Sequence, residues 1–300
     1  MPQVDRVGMQ VRAGGQAVFE GVMMRVSDHW AVAVRTPDGG IEVMDAAIAP
    51  RLPRLRSLPV CRGVLSLVEA LPLGLRAMKW SVKTAALPPT GRVHAPWVER
   101  LLTIAIVGGV VGAFAMGPGA LAVAVAGDSA LWFNVIEGAA RLAFLVGYLA
   151  ALGRLPEVRR LFEYHGAEHK VVGAYEAGVP LTPASVARFS TRHVRCGTSF
   201  LLLVAVVSTL VHVLLGRPDV LLLLVSRVAL IPVVAAIAAE LQQLAATHAG
   251  RPVVRALLRP GLALQGLTTR EPSPAQLEVA IAALEAALPA PAERPLAVAA

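Results

Sequence analysis

The chain has 300 residues, of which 56% are apolar and 16% charged, with a mean hydropathy of +0.63. That balance excludes an ordinary soluble globule, in which about 25% of residues are charged. The net charge of +8 does not point to nucleic acid, because the basic residues are spread along segments flanking apolar runs and lack interleaved aromatics.

Residues 1–60 read as a small β-rich cytoplasmic unit. Apolar alternation on either side of Asp38-Gly39 is a hairpin signal. Gly14-Gly15-Gln16 and Glu20-Gly21 are not a P-loop, since the Lys-Ser/Thr ending is missing, and a tight turn is expected there. Residues 61–100 hold an amphipathic helix and a linker. Over 63–85 Arg76, Lys79 and Lys83 recur at spacings of three and four around Trp80. Such a stretch suits a membrane interface and equally the core helix of a cytoplasmic domain. Leu87-Pro88-Pro89-Thr90-Gly91 is the linker.

Four apolar stretches follow: Leu101 to Ala126, Ala130 to Gly153, Ser199 to Leu215 and Val220 to Ala246. Each is near the length that crosses a bilayer as a helix, roughly 20 residues. Turn residues at Gly127-Asp128-Ser129 and Gly216-Arg217-Pro218-Asp219 join them into transmembrane hairpins at 101–153 and 198–246. The fold class expected is therefore mainly α, a polytopic membrane protein of about four transmembrane helices with a β-rich N-terminal unit and amphipathic helices. Of 28 Lys and Arg residues, 13 precede the first stretch, 7 lie in 154–197 and 5 follow the fourth. The positive-inside bias then makes both termini and the central loop cytoplasmic. No signal-peptide pattern opens the chain, so the first span is expected to direct insertion. Glu137 and Arg141 stand four apart and can pair along one helix, whereas Arg227 and Glu240 need partners elsewhere. Glu240 lies near the cytoplasmic end of its stretch, where it reaches toward the loop as a further ligand or snorkels to water.

The central loop, 154–197, carries the chemistry. A helix is expected around 157–177, then a break at Gly178-Val179-Pro180 and a second helix opened by Thr182 and Pro183. In Tyr164-His165-Gly166-Ala167-Glu168-His169-Lys170 the two histidines are four apart, so both imidazoles leave one helical face. His193 and Cys196, three apart, offer two more donors. His165, His169, His193 and Cys196 are the expected ligands of zinc or another divalent transition metal, with Glu168 beside them as acid/base. His-x-x-Glu-His is also the inverzincin order. The plain alternative is a set of ordinary polar loop residues, but four donors fall within 32 residues of a chain that has seven His and two Cys. With only Cys61 and Cys196, both expected in the cytoplasm, a structural disulfide is disfavoured and a thiolate ligand is the better use of Cys196. Four ligands would make the metal structural, while three leave a position for water. His29, His94, His212 and His248 have no clustered partners and read as solvated or satisfied.

Residues 247–300 form the last segment. Ser273-Pro274 opens a helix with Leu277, Ala280, Ile281, Leu284 and Leu288 on one face, and 289–300 is Pro/Ala-rich and reads as disordered.

Several blocks taken together, Gly14 to Arg25, Tyr164 to Lys170, Arg192 to Phe200, Arg227 to Pro232, Pro260-Gly261-Leu262 with Leu264-Gln265, and Thr268-Thr269-Arg270-Glu271-Pro272, resemble the bacterial YqhQ-like family. That resemblance implies a predicted metal-dependent membrane enzyme of undefined substrate, with the family's His-Gly-Ala-Glu-His and His-x-x-Cys-Gly blocks falling on His165, Glu168, His169, His193 and Cys196. The expectation is a zinc-dependent hydrolase in the bacterial inner membrane, acting at the cytoplasmic face on a membrane-proximal amide, ester or phosphoester. The rival is a non-enzymatic scaffold or assembly factor with a structural metal. A transporter using Arg227 and Glu240 is a third. Membrane lipids and a second copy of the chain are the expected partners, and nucleic acid is not.

Overall fold

The computed structural model describes residues 13–48, 61–85, 96–216 and 219–288. The 87–91 linker and the tail from 289 lie outside them.

Four strands, β1 (Ala13–Val18), β2 (Gly21–Val26), β3 (His29–Arg35) and β4 (Ile41–Ala47), form an antiparallel meander in the order β1-β2-β3-β4. Asp38-Gly39 makes the β3–β4 turn, with Gly39 at φ +88°. The Gly14-Gly15-Gln16 run is strand and not the expected turn, since it pairs with Arg25, Met24 and Met23. The turn expected at Glu20-Gly21 is present, with Glu20 at a φ of +52° that is uncommon for a side-chain-bearing residue.

Strand alternation gives the sheet two apolar faces. Trp30, Val32 and Val34 of β3 pack with Ala77 of helix α1 (Cys61–Ala85). Ala31 and Ala33 face the other way, onto Tyr164, Ala167 and Val171 of α4 (Pro156–Glu176) and Ala280 and Leu284 of α10 (Pro274–Ala287). The result is a helix, sheet, helix sandwich in which α4, the helix of the histidines, is an inner wall. A capping box between Ser273 and Gln276 starts α10, and Thr182 caps the one-turn α5 (Pro183–Val186), both where the sequence places helix starts. Outside the sandwich α1 keeps Val68, Leu71, Leu75 and Val82 exposed, so it serves the core with one face and retains an apolar outer one.

The apolar stretches become α2 (Pro96–Val125), α3 (Ala130–Leu152), α6 (Gly197–Val213), α7 (Val220–Ala229) and α8 (Ile231–Thr247). α2 and α3 are long and apolar enough to cross a membrane, and α7 with α8 would make a third span if they are taken as one. α6 is apolar over 17 residues. The single helix expected over 220–246 is broken, α7 and α8 meeting at 45° around Leu230. Pro232 explains the break, because it has no N–H for the carbonyl of Val228 and its ring crowds that carbonyl. α9 (Pro252–Thr268) returns along α6 and leads into α10.

Inside the apolar helices Glu137 of α3 accepts from Arg141 at 2.7 Å and from Arg227 of α7, whose Nε lies 2.7 Å away. Arg141 also donates to Thr209 of α6 at 3.2 Å. The expected pairing of Glu137 with Arg141 is present, and Arg227 finds its interhelical partner in the same carboxylate.

Candidate metal centre

His165 and His169 leave the same face of α4, with ring centroids 4.5 Å apart. Each ring is fixed through Nδ1, which lies 2.8 Å from the carbonyl of Thr268 for His165 and 2.6 Å from the carbonyl of Thr191 for His169. A carbonyl only accepts, so both Nδ1 atoms carry a proton, which in a neutral ring leaves Nε2 as the atom able to bind a metal. Cys196 closes the group from the N-terminus of α6, where it is the cap residue. Its Sγ is 3.4 Å from Nε2 of His165 and accepts from the backbone N–H of Thr198 at 3.4 Å. One ligand atom from each of His165, His169 and Cys196 lies within 4.8 Å of the others.

Glu168 is buried beside them, its carboxylate 3.4 Å from Nε2 of His169. β1 lies over it. A Cβ on Gly15 would meet Cγ of Glu168 at 3.0 Å, and the carbonyl of Met23 closer still. Gly15 is thus what lets the sheet close down on this side chain.

His193 is held differently. Its Nε2 is 3.2 Å from Glu176, its ring centroid is 5.9 Å from that of His169, and it is not among the three convergent donors. Arg195 pairs with the other oxygen of Glu176. Burial pushes the Glu176 carboxyl up, but the hydrogen bonds and charges of His193 and Arg195 outweigh it and bring it down to about 2. At the opposite end of α4, Glu20 binds Arg160 and accepts from Tyr164 at 3.3 Å. Burial and the neighbouring Glu20 charge push the Tyr164 hydroxyl well up. Both Glu20 and Glu176 therefore clamp the helix that carries the histidines to neighbouring segments.

Three supports were not legible as function in the sequence. Gln265, fully buried, uses both ends of its amide on the loop before Cys196: it accepts from the N–H of His193 at 2.9 Å and donates to the carbonyl of His193 at 2.8 Å. Lys170 donates to the carbonyl of Ala187 at 2.7 Å and pairs with Glu271 at 2.6 Å. Gly166 lies under the chain at Arg270, whose carbonyl would be 2.0 Å from a Cβ there. That close crossing carries Thr268 to His165, so the glycine of the His-Gly-Ala-Glu-His motif and the Thr268-Thr269-Arg270-Glu271-Pro272 block are two sides of one contact. Only the block's presence in the sequence hinted at it.

Residues 58–290 match the model of a family described as a protein of unknown function, DUF1385. The chain belongs to this family. The match takes in the whole His165–Cys196 region as well as Gln265 and Thr268. The chain is also 35% identical over 284 residues to the uncharacterized protein YqhQ of Bacillus subtilis (strain 168), covering 89% of each sequence. The YqhQ-like resemblance read from the motifs is thereby confirmed. No solved structure matches the chain. Within this DUF1385 member the donor set itself must speak for the chemistry. Two imidazole nitrogens and a cysteine sulfur are borderline-to-soft donors of the kind that select zinc. Two donors on one tetrahedral zinc with bonds of 2.0–2.3 Å stand roughly 3.5 Å apart, close to the His165–Cys196 spacing.

Proposed function

We propose that this protein is a multi-pass membrane enzyme in which His165, His169 and Cys196 bind a zinc ion and Glu168 acts as acid/base in hydrolysis at the cytoplasmic face. The observation that carries the reading is the convergence of three electron-pair donors whose other polar atoms are already committed. A metal cation among the two Nε2 atoms and the sulfur would satisfy all three donors at once, whereas one thiol proton serves only one of the two rings. Three ligands leave the fourth tetrahedral position for water.

When bound, zinc supplies Lewis acidity and makes its water acidic near neutral pH. Glu168, buried and adjacent, takes the water's proton as the new bond to carbon or phosphorus forms, then returns it to the leaving oxygen or nitrogen as the old bond breaks. The β1 cover over Gly15 keeps bulk water from that carboxylate.

Membrane insertion is supported by the outward apolar faces, with Leu131, Leu210, Leu214 and Leu221 each more than 60% exposed on α3, α6 and α7 or the turn after α6. The buried ion cluster at Glu137 suits a bundle interior. Four crossings follow if α6 spans and α7–α8 form one bent span, and the distribution of Lys and Arg then sets both termini and the metal site at the cytoplasmic face.

Metal analysis of the purified chain tests the centre. About one zinc per chain is expected, retained in Glu168→Gln and lost in His165→Ala and Cys196→Ala. The reaction is tested by incubating wild type and Glu168→Gln with a bacterial membrane extract and comparing products by mass spectrometry. Unchanged metal content in the ligand variants sinks the centre; equal product profiles with metal retained leave it structural.

A further inference from the structure

A cavity of about 540 Å³ opens between α6, α8 and α9, walled by Leu203, Val206, Leu241, Ala245 and Leu258. Its size is that of a ligand site, which typically runs from about 300 to 1,000 Å³. Two polar side chains in its wall are already used inward: Ser199 accepts from Gln265 at 2.8 Å, and Gln242 donates to the carbonyl of Cys196 at 2.8 Å. A peptide laid there would strand its backbone N–H and C=O groups, whereas a hydrocarbon chain would not.

The mouth of the cavity is basic. His248 and Arg251 line it, and Arg255 and Arg259 continue from Arg251 at spacings of four along α9. All three arginines are exposed, and among the described residues no carboxylate pairs with them. Val253 and Leu257 of the same helix are 71% and 76% exposed. A helix in water does not shed Val and Leu outward, and one in hydrocarbon does not shed Arg. A helix at the headgroup level does both. The chain-lined cavity and its cationic rim thus have the polarity of an anionic lipid, with chain inward and headgroup at the arginines.

From this geometry we infer that the α6–α8–α9 cavity holds an acyl chain of an anionic membrane phospholipid, with its headgroup on Arg251 and Arg255. The occupant reaches toward the metal site. Val194 and Ser199, on either side of Cys196, line the cavity, and Gln242 ties its wall to the Cys196 backbone. That the lipid is the substrate rests on the proposed metal centre; that the cavity binds it does not.

The test uses the full chain carrying Glu168→Gln, in neutral detergent, titrated with phosphatidylglycerol or phosphatidylcholine and read by native mass spectrometry. One phosphatidylglycerol per chain is expected, with phosphatidylcholine about tenfold weaker, as two headgroup cations allow. Arg251→Glu with Arg255→Glu, both on the surface, should erase that preference. Ala245→Trp, which fills the cavity, should weaken both lipids about tenfold at unchanged helicity by circular dichroism. Equal binding of the two lipids by the parent chain, or phosphatidylglycerol binding undiminished by Ala245→Trp, overturns the inference. Zinc content measured on the same samples separates the two readings: lipid retained by a chain that holds no metal sinks the catalytic centre and upholds the lipid site.

Discussion

One helix, α6, joins two buried polar clusters of opposite design. Near its C-terminal end, Thr209 receives Arg141, and the Glu137 carboxylate takes hydrogen bonds from both Arg141 and Arg227. There two guanidinium groups share one carboxylate, and the group binds α3, α6 and α7 together. At its N-terminal end Cys196 faces His165 and His169, whose Nδ1 atoms are taken by backbone carbonyls, with the Glu168 carboxylate beside His169. The first cluster sets cations against an anion of the protein's own, whereas the second gathers donors and is the one proposed to hold a metal ion. Burial and polarity are common to both, so neither property marks a site; the sign of what faces what does.

The largest effect expected from breaking this contrast is at the self-sufficient cluster. Glu137→Gln leaves two guanidinium groups in an apolar bundle without their anion, and losing one partner of a buried ion pair costs about 3–5 kcal/mol. Glu137 is 2% exposed, so water cannot take over. Thermal unfolding of the detergent-solubilised chain should show a drop of that order with zinc content per folded chain unchanged. A variant as stable as wild type would mean that the arginines find other partners and that the cluster is not what holds the helices.

Gly166→Ala should come next. The new methyl would sit 2.0 Å from the carbonyl of Arg270, so the 268–271 segment must lift from α4 and release the His165 ring from Thr268. Overpacking of this kind costs about 1–3 kcal/mol. Unlike Glu137→Gln it should also weaken metal binding, because the displaced carbonyl orients a ligand. Titration with a zinc chelator would read both effects in one sample, and a Gly166→Ala chain with unaltered zinc affinity breaks the link between the crossing and the site.

How much of this was legible beforehand differs between the same two regions. The donors of the proposed metal cluster show in the sequence because helical period alone puts His165 and His169 on one face, and Cys196 stands out as one of the chain's two cysteines, three residues from a histidine. The termination of α4 at Gly178, the Thr182 and Ser273 caps and the Asp38-Gly39 hairpin are equally local. What sequence could not supply was the long-range half: that Gln265, some 70 positions on, holds the His193 loop, that Gly15 of a strand covers Glu168, and that Arg227 crosses to Glu137. His193 shows the limit best. Its spacing from Cys196 suits a ligand, but Glu176, 17 residues away, takes its ring. Pro232 stands in the sequence, but the span over 220–246 rests on hydropathy, which counts apolar residues without asking whether each can donate a hydrogen bond.

Gln265→Leu sharpens the comparison from the supporting side. The substitution keeps the bulk and removes both amide contacts to His193, so Cys196 is presented by a looser loop. Loss of such outer partners lowers metal affinity by about 10–100-fold. Chelator competition should find a value in that range, with the Glu137 cluster and the helix content untouched; affinity equal to wild type would show that Cys196 is positioned by its cap alone.

The smallest effect expected is at the edge of the metal cluster, in the pairing of Glu176 with His193 and Arg195. The folded carboxyl lies at about 2 against an ordinary 4.5, so folding favours the ionised form. Its contribution is complete above pH 4.5 and fades as the pH falls from there toward 2, because below that range both states are protonated. The pair is part-exposed and screened, which limits it to about 1 kcal/mol. Melting curves of metal-free wild type and Glu176→Gln should therefore differ at about pH 6 and converge toward about pH 3. A gap that stays constant over that interval would assign the effect of the substitution to lost packing, and the charge on Glu176 would then have no part in holding His193 away from the donors.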